Sequence, residues 1–565
     1  MIDSLPPGGI MILGALLIPF LRGRLAAWWT LVLPVLGFLQ LQGMPAGSVE
    51  TLQLFSYDLV PVRIDALSRI FGLIFYLAAF LAALYALHLR DRLQQTAATI
   101  YAGSAIGAVF AGDLLTLFVY WELTAIASVF LIWARGTERS YRTGMRYLII
   151  QVGSGVLLLS GIVFRLRATG SLAFESLGEL DNPGTVLIFL AFGIKCAFPL
   201  LHNWLHDAYP EGTVTGTVYL SVFTTKLAVY ALARGFPGTG ILIPIGVTMT
   251  LFPIFFAVIE NDLRRVLAYS LNNQLGFMVV GVGIGTPLAL NGTVAHAFCH
   301  ILYKSLLFMS MGAVLYRTGT VKASELGGLY KSMPVSAVCC IIGAASISAF
   351  PLFSGFISKS LTITAVAEQH HFLAWLLLLV ASAGVMEHSG IKIPYFSFFA
   401  KDQGIRCREA PIHMVLAMII TAALCILIGC FPGPLYRMLP NVTEAYHPYT
   451  ASHVLTQFQL LLFAALAFVF LLRTHRYPHE VPSTNLDTDW FYRKPIPLLM
   501  RRLGRGVAAA QEAAAGVGNE LKVQFQLLAS VLQGPHGVAG RTLPTSTMVL
   551  WAAILLAVYL ILYYF

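Results

Sequence analysis

The sequence predicts an all-α polytopic membrane protein of about 16 transmembrane helices, with two inverted five-helix repeats and with helices 7 and 12 broken. Three observations lead there. Hydrophobic residues make up 58% of the 565 residues and charged residues only 11%, at a mean hydropathy of +0.77. A water-facing surface needs roughly a quarter charged residues, so lipid must be the main solvent. Sixteen apolar stretches approach the roughly 20 residues that span a bilayer. Basic residues also alternate along the chain: 25 fall in loops after odd-numbered helices and six in or beside loops after even-numbered ones. Such a bias puts the odd loops in the cytoplasm and both termini outside. A soluble enzyme, a disordered scaffold and a secreted disulfide module are excluded.

The helices begin near Gly9, Leu25, Leu67, Thr96, Leu114, Met145, Val186, Val214, Ile241, Val266, Leu288, Pro334, Phe372, Pro411, Leu455 and Met548. Met1 to Pro7 lack the basic region of a cleaved signal peptide, so the first apolar run is expected to be a retained helix. The expected organisation is N-terminal helices over 1–93, a first repeat over 94–235, a second, inverted repeat over 236–402, and further helices over 403–473. A polar linker over 474–546 and a last helix over 547–565 complete it. Within the linker, the Ala-rich run from Leu498 to Gln533 is expected to be a lateral amphipathic helix on the cytoplasmic surface. It would be about 50 Å long at 1.5 Å per residue.

The net charge of +10 is accounted for by the cytoplasmic loops, and no nucleic-acid partner is expected. None of the seven cysteines forms a CxxC pair, and most lie in apolar runs. They read as small buried hydrophobes, and neither a metal nor a cofactor is expected.

Ionisable residues inside apolar runs are the functional signal, because each costs at least about 2.5 kcal/mol unless paired or wetted. They are Glu122 in helix 5, Lys195 in helix 7, Lys226 in helix 8, Lys304 in helix 11, Lys359 in helix 12 and Lys392 in helix 13. Lys195 lies four residues before Pro199, which frees a helical carbonyl. A lysine beside such a break suits a proton site that switches; a permanent pair with Glu122 is the alternative. Lys359 repeats the arrangement after Pro351 and Gly355. Broken helices at matching places in two halves point to an inverted repeat. His296, His300 and Lys304 share one face of helix 11. They fit a proton relay, with buried hydrogen-bonded histidines as the alternative; no neighbouring carboxylate completes a zinc site. Lys226 is expected to connect Lys195 to helix 11. Glu387, His388 and Lys392 on helix 13 form either an exit or an ion-pair knot, with Glu387 neutralising a neighbour. His202, His206 and Asp207 are expected near the external end of helix 7 as an interfacial polar cluster, with an external metal site as the alternative.

These residues resemble a known family, the antiporter-like, proton-conducting subunits shared by respiratory complex I and Mrp-type multisubunit cation/proton antiporters. The matching stretches are Trp121-Glu122-Leu123; Lys195 with Pro199, His202, Trp204 and Leu205; and Lys226 with Tyr230 and Arg234. Asp262 to Ser270 with Gln274 and Gly276, the His296–His300–Lys304 helix, and Ser354 to Phe356 with Lys359 complete the series. The resemblance runs in order from about residue 60 to 435. His206 departs from it, standing where the complex I version commonly has proline. That departure, with the LDTDWFYRKP stretch, favours a protein similar to the D-type component of Mrp antiporters, or a relative recruited to another complex.

The resemblance implies a proton path across the middle of the membrane. Glu122 would tune Lys195, and protons would pass through Lys226 and the helix 11 residues to Lys359. It implies a subunit of a hetero-oligomeric complex in a bacterial inner membrane, with lipid, protons and, for antiport, Na+ as further partners. Cation/proton antiport is the expected output. A complex I-like or membrane-hydrogenase redox pump and a proton-flux subunit of an inorganic-carbon uptake complex are the alternatives. An inert scaffold is disfavoured by six intramembrane charges.

Overall fold

In a computed structural model, residues 5–55, 57–441, 446–478, 480–481, 485, 487–534, 537 and 544–564 are described. The chain divides into two units, Met1–Asn485 and Leu486–Phe565.

The first unit holds fifteen of the sixteen expected helices. They are α1 (Gly9–Ala15), α2 (Arg24–Gly43), α3 (Ala66–Tyr85), α4 (Arg92–Phe110), α5 (Leu114–Trp133) and α6 (Glu138–Thr169). After a break-prone α7 (Pro183–Lys195, then Asn203–Ala208) come α8 (Gly216–Val222 and Thr224–Gly235), α9 (Leu242–Ile259), α10 (Leu263–Ile284) and α11 (Pro287–Thr318). Then follow α12 (Pro334–Ile347, then Ser354–Glu368), α13 (Phe372–Val385, continued by π-helical turns to Phe399), α14 (Ile412–Cys430) and α15 (Ala451–Arg473). Among the described residues, eleven helices are long and apolar enough to cross a membrane, and three shorter ones are apolar. α4 and α10 are the remaining two; their interiors carry Gln94 and Gln95, and Asn272, Asn273 and Gln274, all buried. The chain is a multi-pass membrane protein.

Local rules set the helix starts. Asp65 and Ser68 form a capping box at α3, and Thr137 and Ser140 another at α6. Asp113 caps α5 and Asp262 caps α10 in the same way. The likeness extends outward. Asp113 bridges Ala173 as Asp262 bridges Lys322. Leu114 N donates to Leu172 O at 2.9 Å, and Leu263 N to Val321 O at 3.0 Å. Thus α4–α8 and α9–α13 are two copies of one unit. Five crossings separate each helix from its counterpart, so the copies run in opposite directions through the membrane. α11 lies at the centre, buried along nearly all of its length.

One element departs from the sequence reading. Residues 44–65, between the second and third expected helices, contain an antiparallel hairpin, β1 (Val49–Leu54) paired with β2 (Tyr57–Arg63). On the odd-loop side, Asp402 receives Arg406 and Lys331, each at 2.8 Å. These hydrogen bonds, that of Arg406 foremost, hold its carboxyl well below the usual carboxylate range. They tie the α11–α12 loop to the α13–α14 loop.

The second unit contains a long helix, Pro495–Gln533, and α16 (Thr545–Tyr564). The long helix starts three residues earlier than the sequence suggested, with Pro495 in its first turn, where proline's missing N–H costs nothing. At 39 residues it is about 58 Å long. Expectations for 535–536 and 538–543, Arg541 included, fall outside the described residues.

Candidate functional site

Both breaks are built from the same tetrapeptide, Ala-Phe-Pro-Leu, at Ala197–Leu200 and Ala349–Leu352. The left-handed residues are Ala197 (φ 61°) and Leu200 (φ 69°) in one copy, and Ala349 (φ 58°) and Leu352 (φ 74°) in the other. Each such non-glycine residue costs on the order of 1–3 kcal/mol, so it persists only where its surroundings impose it. The hydrogen bonds repeat too: Phe198 N donates to Gly193 O and Phe350 N to Ala345 O, both at 3.0 Å. This is a Schellman end with alanine in glycine's place. It leaves carbonyls of the last turn facing the bundle interior, in reach of donors from other helices.

At α7 the donor is Trp204 Nε1, to Ile194 O at 2.9 Å; elsewhere the donors are lysines. Lys359 Nζ donates to Ile347 O at the end of the first half of α12, at 2.8 Å. Lys226 Nζ donates to Ser221 O at 2.6 Å. That carbonyl is freed because α8 is itself interrupted at Phe223, a break without proline or glycine that the sequence did not show. Lys392 Nζ reaches Ala257 O (3.3 Å), Val258 O (2.6 Å) and Glu260 O (2.8 Å) at the C-terminal end of α9. Three of the intramembrane lysines therefore occupy the negative ends of helix dipoles. Lys195 differs: it donates to Trp121 O at 2.5 Å and Thr124 Oγ1 at 3.1 Å, and lies 4.3 Å over the Trp121 ring. It forms no ion pair with Glu122 among the described residues, so the permanent-pair alternative is not realised.

α11 carries the centre. His296 Nδ1 meets Ser358 Oγ at 3.0 Å, next to Lys359, and its Nε2 meets Tyr303 OH at 3.4 Å. Tyr303 donates onward to Gln274. Both ring nitrogens of His300 and the Lys304 amine are buried with no hydrogen-bond partner among the described residues. Buried polar groups so placed are ordinarily met by water. Lys359 also lines a cavity of about 320 Å³ with Ser360, Thr364, Glu368 and His453. Tyr446 OH bridges Ser360 (2.9 Å) and Thr364 (3.1 Å) there, and Glu368 is exposed at the even-loop side.

The helix 13 group is assembled differently from the expectation. His388 Nδ1 meets Ser389 Oγ at 2.8 Å, which donates to Ser270 Oγ at 2.7 Å. Glu387 pairs with neither neighbour among the described residues. The carboxylate beside Lys392 is instead Glu480, 2.8 Å away, from the segment after α15. Glu480 lies 88 positions further along the chain in a polar stretch, and no spacing rule links it to Lys392.

Glu122 has a partner of another kind. Its Oε1 is buried without a hydrogen bond among the described residues, and a Cβ on Gly155 of α6 would lie 1.3 Å from it. Gly155 thus makes room for the carboxylate. A Gly155→Ala change should displace Glu122 and slow transport about as much as Glu122→Gln does. Transport at the native rate in Gly155→Ala would show that the carboxylate's position does not matter.

His202, His206 and Asp207 need correcting. They follow the break, so the chain carries them toward the odd-loop side, opposite to the expected external end. Arg146 meets Asp207 at 2.6 Å there, and Arg139 and Arg135 meet Glu211 at 2.8 and 3.2 Å. His206 stacks on Tyr269 at 3.8 Å.

Residues 111–385 match the family model described as NADH:quinone oxidoreductase/Mrp antiporter, TM. The chain is 31% identical over 361 residues to the D component of the Na(+)/H(+) antiporter of Alkalihalophilus pseudofirmus, covering 60% of this chain and 72% of that one. It is 28% identical over 439 residues to Hydrogenase-4 component B of Escherichia coli, and these span 69% of this chain and 65% of that protein. Its fold is similar to a chain in the structure of the Mrp complex from Dietzia sp. DQ12-45-1b, with a TM-score of 0.75 at 24% identity, over 98% of this chain and 62% of that one.

Proposed function

We propose that this chain, which belongs to the NADH:quinone oxidoreductase/Mrp antiporter family of membrane proteins, is the proton-carrying subunit of a multisubunit cation/proton antiporter in a bacterial inner membrane. One observation carries the reading. Five buried lysines and three buried histidines line the bundle interior, and most of the lysines are held by backbone carbonyls. A carbonyl stabilises an ammonium without neutralising it, so the site can release its proton and regain it. A lysine locked to a carboxylate would hold its proton far more tightly.

The path we propose begins at Glu122 and Lys195. It continues through Lys226 to His300, Lys304 and His296, and thence to Lys359, with His388 and Lys392 as a branch. Water completes the steps that protein atoms do not span. Orientation follows the basic loops, with both termini in the periplasm and Na+ as the expected counter-ion.

The test is acidification in membrane vesicles bearing the native complex, with dye-quench recovery read on addition of Na+ or K+. Cation-dependent proton flux is expected. Glu122→Gln should slow it about tenfold, the equivalent of about 1.4 kcal/mol; an unchanged rate would remove Glu122 from the path. Similarity to Hydrogenase-4 component B favours a second reading, a redox-driven pump module. Mass spectrometry of the native complex separates the two. Iron–sulfur or flavin subunits among the partners would favour the second; small hydrophobic partners alone would favour the first.

A further inference from the structure

The carboxylate on Lys392 comes from outside the repeats. Glu480 belongs to the segment after α15, and its side chain is 7% exposed against a fully buried Lys392. The segment is pinned a second time where Asn485 Nδ2 donates to Glu260 Oε2 at 2.9 Å. Glu260 is also the residue whose carbonyl receives Lys392. Above the ion pair lies a cavity of about 440 Å³, lined by Ser324, Ala400, Lys401, His475, Tyr477 and Glu480. Its walls belong to loops after odd-numbered helices and to the ends of α13 and α15 that lead into them, so it faces the side opposite to the cavity beside Lys359. The Asp402 cluster braces the adjoining loop.

Resting on the function proposed above, we propose that Glu480 is the intake carboxylate of a second route, which enters from the odd-loop side and crosses the second repeat alone. The cycle starts from the pair as carboxylate and ammonium. Glu480 takes a proton from water in the cavity, which frees Lys392 from its counter-charge. Lys392 then gives its proton to His388, four residues back on the same helix, and becomes a neutral amine, and the Glu480 proton passes from the carboxyl oxygen to Lys392 Nζ, restoring the pair. No other reactant is needed. From His388 the proton reaches the α11 groups and Lys359, then leaves through the cavity ending at Glu368. A carboxylate serving only to neutralise Lys392 would need no cavity beside it, whereas Glu480 lines one wide enough for many waters; its two oxygens are covered here, and a rotation of the side chain toward the cavity brings water to them.

The experiment uses the full chain in its native complex, in vesicles, in a Lys195→Ala background that closes the first route, with that parent and wild type measured alongside. Glu480→Gln keeps a hydrogen-bond acceptor for Lys392 but carries no proton. It is expected to leave complex yield within twofold and to lower proton flux at least tenfold. Glu480→Asp should restore at least a third of the flux, which a merely structural acceptor would not require. Flux within twofold of the parent in assembled Glu480→Gln complexes, or a parent with no flux above leak, overturns the assignment while leaving the transport function standing. If Glu480→Gln does not assemble, Ala400→Trp decides, because an indole there blocks the cavity without touching the ion pair. Lost flux supports the route, and undiminished flux overturns it. A wild-type complex that moves no protons overturns both this route and the function on which it rests.

Discussion

Lys195→Ala, with the second route closed by Glu480→Gln, is expected to cut proton flux to the leak level, at least about a hundredfold, while the complex still assembles. A positioned proton carrier is worth about 10²–10⁴ in rate, and a path in series stops at its missing step. Assembly survives because of what the lysine leaves behind. Trp121 O retains the bond from Thr124 Oγ1 at 2.7 Å, so no acceptor is stranded. Losing an ammonium buried without a carboxylate in contact also removes a desolvation cost. The measurement is dye-quench flux normalised to complex yield. Normal flux in this variant would end the proposed path. Lys195→Arg is a sharper version, since it keeps the charge but holds its proton permanently; it too should be inactive.

Gly355→Ala is expected to fail earlier, at assembly. A Cβ there would lie 1.8 Å from Ser346 O, the carbonyl that ends the first half of α12. Backbone cannot turn aside as a side chain can. Overpacking of well-packed sites costs about 1–3 kcal/mol, and a collision with the backbone of a strained break falls at or above the upper end. The opposite wall gives the control: a Cβ on Gly429 of α14 would lie 2.3 Å from Leu352 O, so Gly429→Ala should act alike. The readout is the amount of complex recovered after mild extraction. Full recovery of either variant would mean that the break is looser than its contacts indicate.

What could be read in advance follows from where the information lies. Helix positions and the paired breaks were legible, because twenty-residue apolar runs and Pro or Gly interruptions are local. The repeated Ala-Phe-Pro-Leu was equally local, yet only its prolines were used. The β1–β2 hairpin was hard to read, because Val49–Leu54 has no strict apolar alternation and its strand is mostly exposed. Lys195, Lys304 and Lys359 were visible as charges without solvent. Their acceptors were not, since a backbone carbonyl has no letter in the sequence. Glu480 and Gly155 were hidden for a related reason: each matters only through a residue far away along the chain. His202 and His206 fall on the odd-loop side because the chain beyond Pro199 continues in the direction of α7, and polarity alone does not tell one end of a spanning helix from the other.

Acceptors made of backbone have a genetic consequence. No side-chain substitution deletes Ile347 O or Ser221 O; only a change in the course of the chain moves them. A saturation screen for loss of growth should therefore turn up two populations of alleles. One consists of the lysines and their few side-chain neighbours, where nearly every replacement is null. The other consists of Gly, Ala and Pro codons around 193–200 and 345–355, residues without chemistry of their own. Alleles of the second kind should be recoverable by second-site changes in the adjoining helices, and alleles of the first kind should not.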